Sequence, residues 1–463
     1  MFNLNKKEFE ETKGKGMRFS IISEFRGDET TPIRLFNGLN GRGKFLLESG
    51  SKENFFGRYS FLGHNPYMEI SGEDKETLDK LKIEIENEYN IASNPFPFKG
   101  GAIGHISYES ISIIEKKLKF NNLDDLQIPR ISFHLYKDYI CYDHYTHKVF
   151  IITNILENDN YKYEDILISH KELYKELNTV KNSIEDEVKN EEIDFKCNYS
   201  KEEFIEMVEK AKNHILKGDI FQVVLSQRVS CETNKSGFEI YRRLRTSNPS
   251  PYMFYIDFKD YELIGSSPES LVSLRGNKAL TNPIAGTRKR GITEDTDRIL
   301  MDELLNDEKE KAEHIMLVDL GRNDIGKVSK IGTVEIEEFM QVEKFSHVMH
   351  ITSKVSGEIK DGEDAFSVLE ACFPAGTVSG APKIRAMEIV EELENRKRGI
   401  YSGAVGYFSY GGSMDMSIAI RTMILKDKIA YMQAGAGIVY DSIPENEYEE
   451  TLNKLKVLME GIK

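Results

Sequence analysis

Cysteine is scarce in this chain: 463 residues contain four, Cys141, Cys197, Cys231 and Cys372. They lie far apart and form no Cys-x-x-Cys, so neither a zinc site nor a disulfide framework is indicated, and a reducing cytoplasm is the expected setting. A basic surplus is also lacking. With 62 Lys and Arg against 77 Asp and Glu, the formal net charge is -15, which argues against a nucleic-acid partner because such proteins carry basic stripes. The balance fits a soluble enzyme kept apart by mutual repulsion. An anionic ligand would then have to be drawn in locally, against the overall field. No segment approaches the ~20 apolar residues of a membrane span. Residues 1–20, rich in Lys and Glu, hold no apolar stretch of signal-peptide length, so no membrane partner is expected. Internal repeats and low-complexity segments are absent.

The length allows two or three average domains, or one large sheet-based unit. Between Asn158 and Asn198 the chain turns strongly polar, with Glu185-Asp186-Glu187 and Glu191-Glu192 among lysines. This reads as a solvated helix followed by a linker. The expected division is therefore an amino-terminal subdomain over 1–157, a helix and linker over 158–198, and a catalytic domain over 199–463. Val149 to Thr153 and Phe45 to Leu47 read as strands, punctuated by Asn94 to Pro97 and Lys99 to Gly101. Ser200 and Glu203 form a capping box that opens a helix with the apolar stripe Phe204, Val208, Ala211 and Ile215, closed by Gly218. The following run, Ile220 to Ser226, is strand-like, with Gln222 facing opposite to Phe221 and Val223. Strands and helices then mix without strict alternation, which predicts an α+β fold with large antiparallel sheets.

Two pairs of glutamates stand three residues apart. Glu310 and Glu313 share one helix face, and Glu447 and Glu450 share another. Asp307 to Glu310 and Ser442 to Glu445 also read as capping boxes, in which acidic residues simply complement the helix dipole. Pro283-Ile284-Ala285-Gly286-Thr287 carries alanine at its centre. A methyl group supplies neither nucleophile nor charge, so bond-making there needs a nucleophile from outside. Downstream come Glu310-Lys311-Ala312-Glu313-His314, Leu317-Val318-Asp319-Leu320-Gly321-Arg322-Asn323-Asp324, Gly376-Thr377-Val378-Ser379-Gly380-Ala381-Pro382-Lys383, Gly403-Ala404-Val405-Gly406-Tyr407 and Gly435-Ala436-Gly437-Ile438-Val439.

This ordered set resembles the chorismate-utilising enzymes, and within them most of all the anthranilate synthase component I family, over nearly the whole chain. The resemblance implies stacked sheets around a central cleft with helices outside. It implies Mg2+ held by Glu310, Glu313, Glu447 and Glu450, a hard cation suited to oxygen ligands and partial hydration. It implies substrate positions at Tyr401, Arg421, Gly435, Gly437, Ala285, Gly286, Thr287 and Gln222, with Thr377 and His350 at the chemistry. Arginine grips a carboxylate with its planar fork, and the glycines let backbone come close. The family frame Val-Met-His selects His350 as proton carrier and leaves His347 structural. Glu269 is the candidate general acid. Glu48, Ser49, Pro251, Tyr252 and Met253 match segments that form a tryptophan feedback pocket, although Arg58 stands where lysine would be expected.

The activity so implied joins chorismate and ammonia to give anthranilate and pyruvate, at the first committed step of tryptophan biosynthesis. The chain has no Gly-x-Cys-x-Gly nucleophile, and Cys372 sits in Ala371-Cys372-Phe373. Ammonia would come from solution or from a glutamine amidotransferase subunit, in a heterodimer or heterotetramer. An aminodeoxychorismate synthase would carry lysine at Ala285 as nucleophile, and an isochorismate or salicylate synthase a lysine base at Gln222. A catalytically silent, tryptophan-sensing chain would have lost a metal glutamate or His350, and none is lost.

Overall fold

The computed structural model describes residues 3–15, 18–50, 55–86, 94–156, 159–179, 193–344 and 348–463. His347 and the acidic runs at 185–187 and 191–192 lie outside these residues. Among the described residues the fold is α+β, with antiparallel sheets of 12 and 10 strands.

The first sheet runs from Phe19–Arg26 through Lys148–Ile155, Asp138–Asp143, Tyr59–Gly63 and Phe45–Glu48 to Tyr252–Asp257, then Glu262–Ser267, Thr422–Lys426, Ile429–Ile438, Gln222–Glu232 and Gly380–Ala381. The second runs from Ile284–Lys289 through Val348–Glu358, Lys278–Thr281, Ser270–Arg275, Met414–Ile418 and Ala404–Ser409 to Gly101–Ile106, Ile131–Tyr136 and Met68–Gly72. Residues 1–157 and 199–463 thus contribute strands to both sheets. They meet edge to edge where Leu47 pairs with Phe254 and where Val405 pairs with His105. The polar connection between them opens with the helix Tyr163–Thr179, which buries Tyr163, Ile166, His170 and Leu177.

The sheets pack face to face through an aromatic-rich layer. Phe45, Phe61, Tyr139 and Phe254 of the first sheet join Ile103, Tyr136 and Val405 of the second in one buried cluster, and each such side chain contributes about 1.5–3 kcal/mol. Helices lie outside. Ile240, Leu244, Leu455 and Leu458 from Gly237–Ser247 and Pro444–Ile462 cover Val229, Met423 and Met432 of the first sheet. Phe204, Val318, Ile325, Val368 and Met387 from four further helices pack with Val272, Leu274 and Val355 of the second sheet, and with Val223 and Ile438 of the first.

The expected capping box at Ser200 is present, opening the helix Lys201–Leu216, and Gly218 follows with φ +81°. Asp307 caps Glu308–Val328 by accepting from the Lys309 and Glu310 amides. The cap expected at Ser442 is not formed. Pro444, whose missing N–H suits a first helical position, starts that helix with Ile443 as N-cap. The Ser442 hydroxyl instead accepts from the Val439 amide at 3.0 Å.

Candidate active site

Gln222 opens the strand Gln222–Glu232 and is buried, whereas Phe221 beside it is 75% exposed. Its amide Nε2 donates to Glu313 Oε1 at 3.3 Å. A Cβ on Gly437, one strand over, would come within 2.7 Å of that amide nitrogen. Gly435 is as tightly constrained: an added Cβ would sit 2.8 Å from both the Tyr401 hydroxyl and the Leu225 carbonyl. The Lys454 ammonium donates to the Gly435 carbonyl at 2.8 Å and pairs with Glu450 at 2.7 Å. Strand, helix and turn therefore converge at these two glycines.

The second sheet supplies the opposite side. Gly286 sits in a bulge of Ile284–Lys289 with φ +68°, and a Cβ there would lie 3.1 Å from Glu310 Oε2. Glycine is thus what lets the glutamate approach the strand. Its carbonyl accepts from His350 Nδ1 at 3.0 Å, and the Thr287 hydroxyl lies 3.1 Å from the same nitrogen. With the proton on Nδ1, Nε2 is left as the basic atom. Burial lowers the His350 pKa, opposed by the Gly286 carbonyl and aided by the Arg421 charge, so the ring is neutral at pH 7. Ala285, buried beside Ile351 in register, presents only a methyl group.

Glu269 follows Pro268 at the start of Ser270–Arg275. Burial pushes its carboxyl up to about 7, against smaller lowering effects of Thr377 and Lys454. It lines a cavity of about 410 Å³ with Thr377, Asn282 and Pro283. The buried Thr377 hydroxyl adjoins the Glu269 carboxyl without a well-aligned hydrogen bond of its own. Arg421 has no carboxylate partner among the described residues. Burial lowers its pKa and the Tyr401 phenol raises it, which marks an unneutralised cation suited to an incoming anion.

The glutamates face one another across two helix starts. Burial raises Glu313, and the neighbouring charges of Glu310 and Glu450 add to it; burial likewise raises Glu447, with Glu450 adding. Arg288 pairs with Glu310 at 3.2 Å. Among the described residues no three His, Cys, Asp or Glu side chains converge as direct ligands of one ion. Their donors are all carboxylate oxygens, the type that a hard divalent cation takes.

A separate pocket of about 630 Å³ opens between the sheets. Glu48, Ser49, Pro251, Tyr252 and Met253 all line it, and it shares no lining residue with the cavity beside Glu269. The Glu48 carboxylate is already held by Arg245 at 2.7 and 3.2 Å and by Tyr241 at 2.7 Å. Arg58 is not in the lining and pairs with Asp143 at 2.8 Å. Arg275, Tyr407 and Asp415 also line the pocket. Sequence reasoning missed them, although an aspartate alternating with methionines in Met414–Ile418 is a legible signal of a buried charge. Tyr252 donates to Asp415 at 3.1 Å, and burial raises that carboxyl to about 6.

Residues 42–460 match the family model described as chorismate binding enzyme. The chain is 44% identical to the anthranilate synthase component 1 of Acetivibrio thermocellus, over 96% of its length and 94% of the relative's. It is 43% identical to the aminodeoxychorismate synthase component 1 of Bacillus subtilis (strain 168), over 88% of the chain and 89% of that protein. The crystal structure of anthranilate synthase component I from Streptococcus pneumoniae TIGR4 superposes with a TM-score of 0.81 at 43% identity, covering 94% of this chain and 98% of that one. The family model covers most of the chain and the relatives match nearly all of it, so the chain belongs to the chorismate binding enzyme family.

Proposed function

We propose that the protein is the large component of anthranilate synthase, converting chorismate and ammonia to anthranilate and pyruvate in the cytoplasm, at the first committed step of tryptophan biosynthesis. The observation that carries this reading is the pair of acid–base groups in complementary states: Glu269 titrating near 7 and His350 held neutral. Opposed environments of this kind assign acid and base roles. No helix among the described residues is long and apolar enough to cross a membrane.

Chorismate carries two carboxylates, an enolpyruvyl ether and a ring hydroxyl. Tyr401 and Arg421 bind the enolpyruvyl carboxylate, with Gly435 and Gly437 leaving room for it beside the backbone. Gln222 and Ala285 offer no strong base or nucleophile, so ammonia itself attacks ring carbon 2. Glu269, with Thr377 beside it, gives its proton to the departing ring hydroxyl, which leaves as water, and regains one from the ammonium formed on ring carbon 2. His350 Nε2 then removes the proton from ring carbon 2 as the enolpyruvyl group departs as the enolate of pyruvate, which takes up a proton from water to give pyruvate, and the ring becomes aromatic. Glu310, Glu313, Glu447 and Glu450 would hold Mg2+, which when bound neutralises the ring carboxylate and draws electron density from the reacting ring.

Ammonia is supplied by a separate glutamine amidotransferase subunit, and tryptophan inhibits through the pocket between the sheets. Ala285 favours this reading over the aminodeoxychorismate synthase one, in which a lysine nucleophile is expected there. The test is to supply chorismate and Mg2+ with either ammonium or glutamine and follow anthranilate fluorescence. Product is expected with ammonium alone. Glutamine-dependent product from a preparation free of a second subunit would overturn the assignment.

A further inference from the structure

Arg398 is 1% exposed, among the largest fully buried side chains of the protein. Glu394 neutralises it, with Nε to Oε2 at 3.0 Å and Nη2 to Oε1 at 2.6 Å. The guanidinium also donates to the Val378 carbonyl at 2.7 Å and the Val224 carbonyl at 2.6 Å. Val378 follows Thr377, and Val224 pairs with Gly437. Glu394 in turn accepts from the amide and hydroxyl of Ser226, both at 2.9 Å, and Ser226 pairs with Gly435. One ion pair thus joins the Thr377 turn to the strand pair bearing both glycines.

The guanidinium lies 4.7 Å from the Tyr108 ring and 5.7 Å from the Tyr401 ring, within cation–π range. Burial pushes the Tyr401 phenol up to about 12; the charge of buried Arg398, and more weakly that of half-buried Arg421, opposes this rise, while Glu394 adds to it. Its hydroxyl points at Gly435, where an added Cβ would touch it.

We propose that Arg398 is the positioning residue of Tyr401: held by Glu394, it fixes the ring and, through its charge, makes the phenol a stronger donor to an anionic ligand group beside Gly435. Maintaining a fully buried ion pair is weak as a stability device, whereas strengthening one donor at the ligand is a functional return. The inference rests on the reading that Tyr401 holds a substrate carboxylate.

The test combines Arg398→Gln, Glu394→Gln and Tyr401→Phe. With a fluorinated tyrosine at position 401, fluorine NMR titration should show the phenol pKa rising in Arg398→Gln and falling in Glu394→Gln. A merely structural ion pair would move both the same way, or neither, and either result overturns the proposal. In kinetics, Arg398→Gln should raise KM for chorismate about tenfold, the scale of one hydrogen bond to a charged group. In the Tyr401→Phe background that penalty should shrink to less than about twofold. Equal penalties in both backgrounds contradict it. If Arg398→Gln fails to fold, Arg398→Lys takes its place, keeping the charge and predicting a phenol pKa near the parent's with the KM rise confined to the Tyr401 background. An inactive parent enzyme would sink the functional reading alone, since the titration needs no turnover.

Discussion

Glu269→Gln should make the protein more stable and inactive at once. Glu269 rises from 4.5 to about 7 because burial disfavours its charged form. Below pH 4.5 the folded and unfolded chains both keep the proton. As pH climbs through 4.5 to 7 the unfolded chain releases it first, so the folded state binds more protons and stability falls with rising pH. Above 7 the loss is complete, at about 3 kcal/mol for a shift of this size. Glutamine removes the titration while keeping the side chain's shape. For a chain of 463 residues the unfolding entropy is about 1 kcal/mol per kelvin, so the gain is about 3 °C in Tm. Thermal unfolding of parent and variant at pH 5 and pH 8.5 reads this directly: a gain of about 1 °C at the lower pH and about 3 °C at the higher, with anthranilate formation abolished. A Tm difference that is the same at both pH values, or near-normal turnover, would refute the assignment of a buried, protonatable acid.

The same groups predict a bell-shaped pH profile for kcat/KM, falling above about 7 as Glu269 loses its proton and falling in acid as His350 gains one, at lower pH than an exposed histidine. Glu310→Gln and Glu447→Gln should abolish turnover with the fold retained. Because Asp307 already caps the first helix, a variant that loses the ~0.5–2 kcal/mol of a cap yet turns over normally would contradict the metal role. Ser49→Phe should fill the pocket between the sheets and abolish tryptophan inhibition with uninhibited turnover nearly unchanged. Tryptophan and chorismate should weaken one another by the same factor, about 5–150-fold, as linkage requires; calorimetry showing tryptophan binding unaffected by chorismate would contradict this.

The sequence made the fold class legible because local signals were strong: the Ser200 box, the Phe204 stripe and the alternation around Gln222 all reappear where patterning put them. The Ser442 box did not form, since proline two residues on competes for the same helix start. The family resemblance assigned Glu310, His350 and Gly435 to one site, yet it carried no information on their environments. That burial pushes the Glu269 carboxyl up to about 7, that Arg421 lacks a carboxylate partner among the described residues while Arg288 and Lys454 hold Glu310 and Glu450, and that Arg245 occupies Glu48 are consequences of tertiary packing. Arg398 escaped notice for the same reason. In sequence it is one cation in the run Arg396-Lys397-Arg398, and only packing distinguishes the buried member from its half-exposed neighbours.

In the proposed reaction ammonia enters at ring carbon 2 of chorismate without a covalent enzyme intermediate. Identification of the product formed from chorismate, Mg2+ and isotopically labelled ammonium by mass spectrometry and NMR tests it most directly. Anthranilate carrying the label on its amino group is expected, with pyruvate in equal amount; 4-amino-4-deoxychorismate as the main product, or a chorismate adduct on the chain, would rule this reaction out.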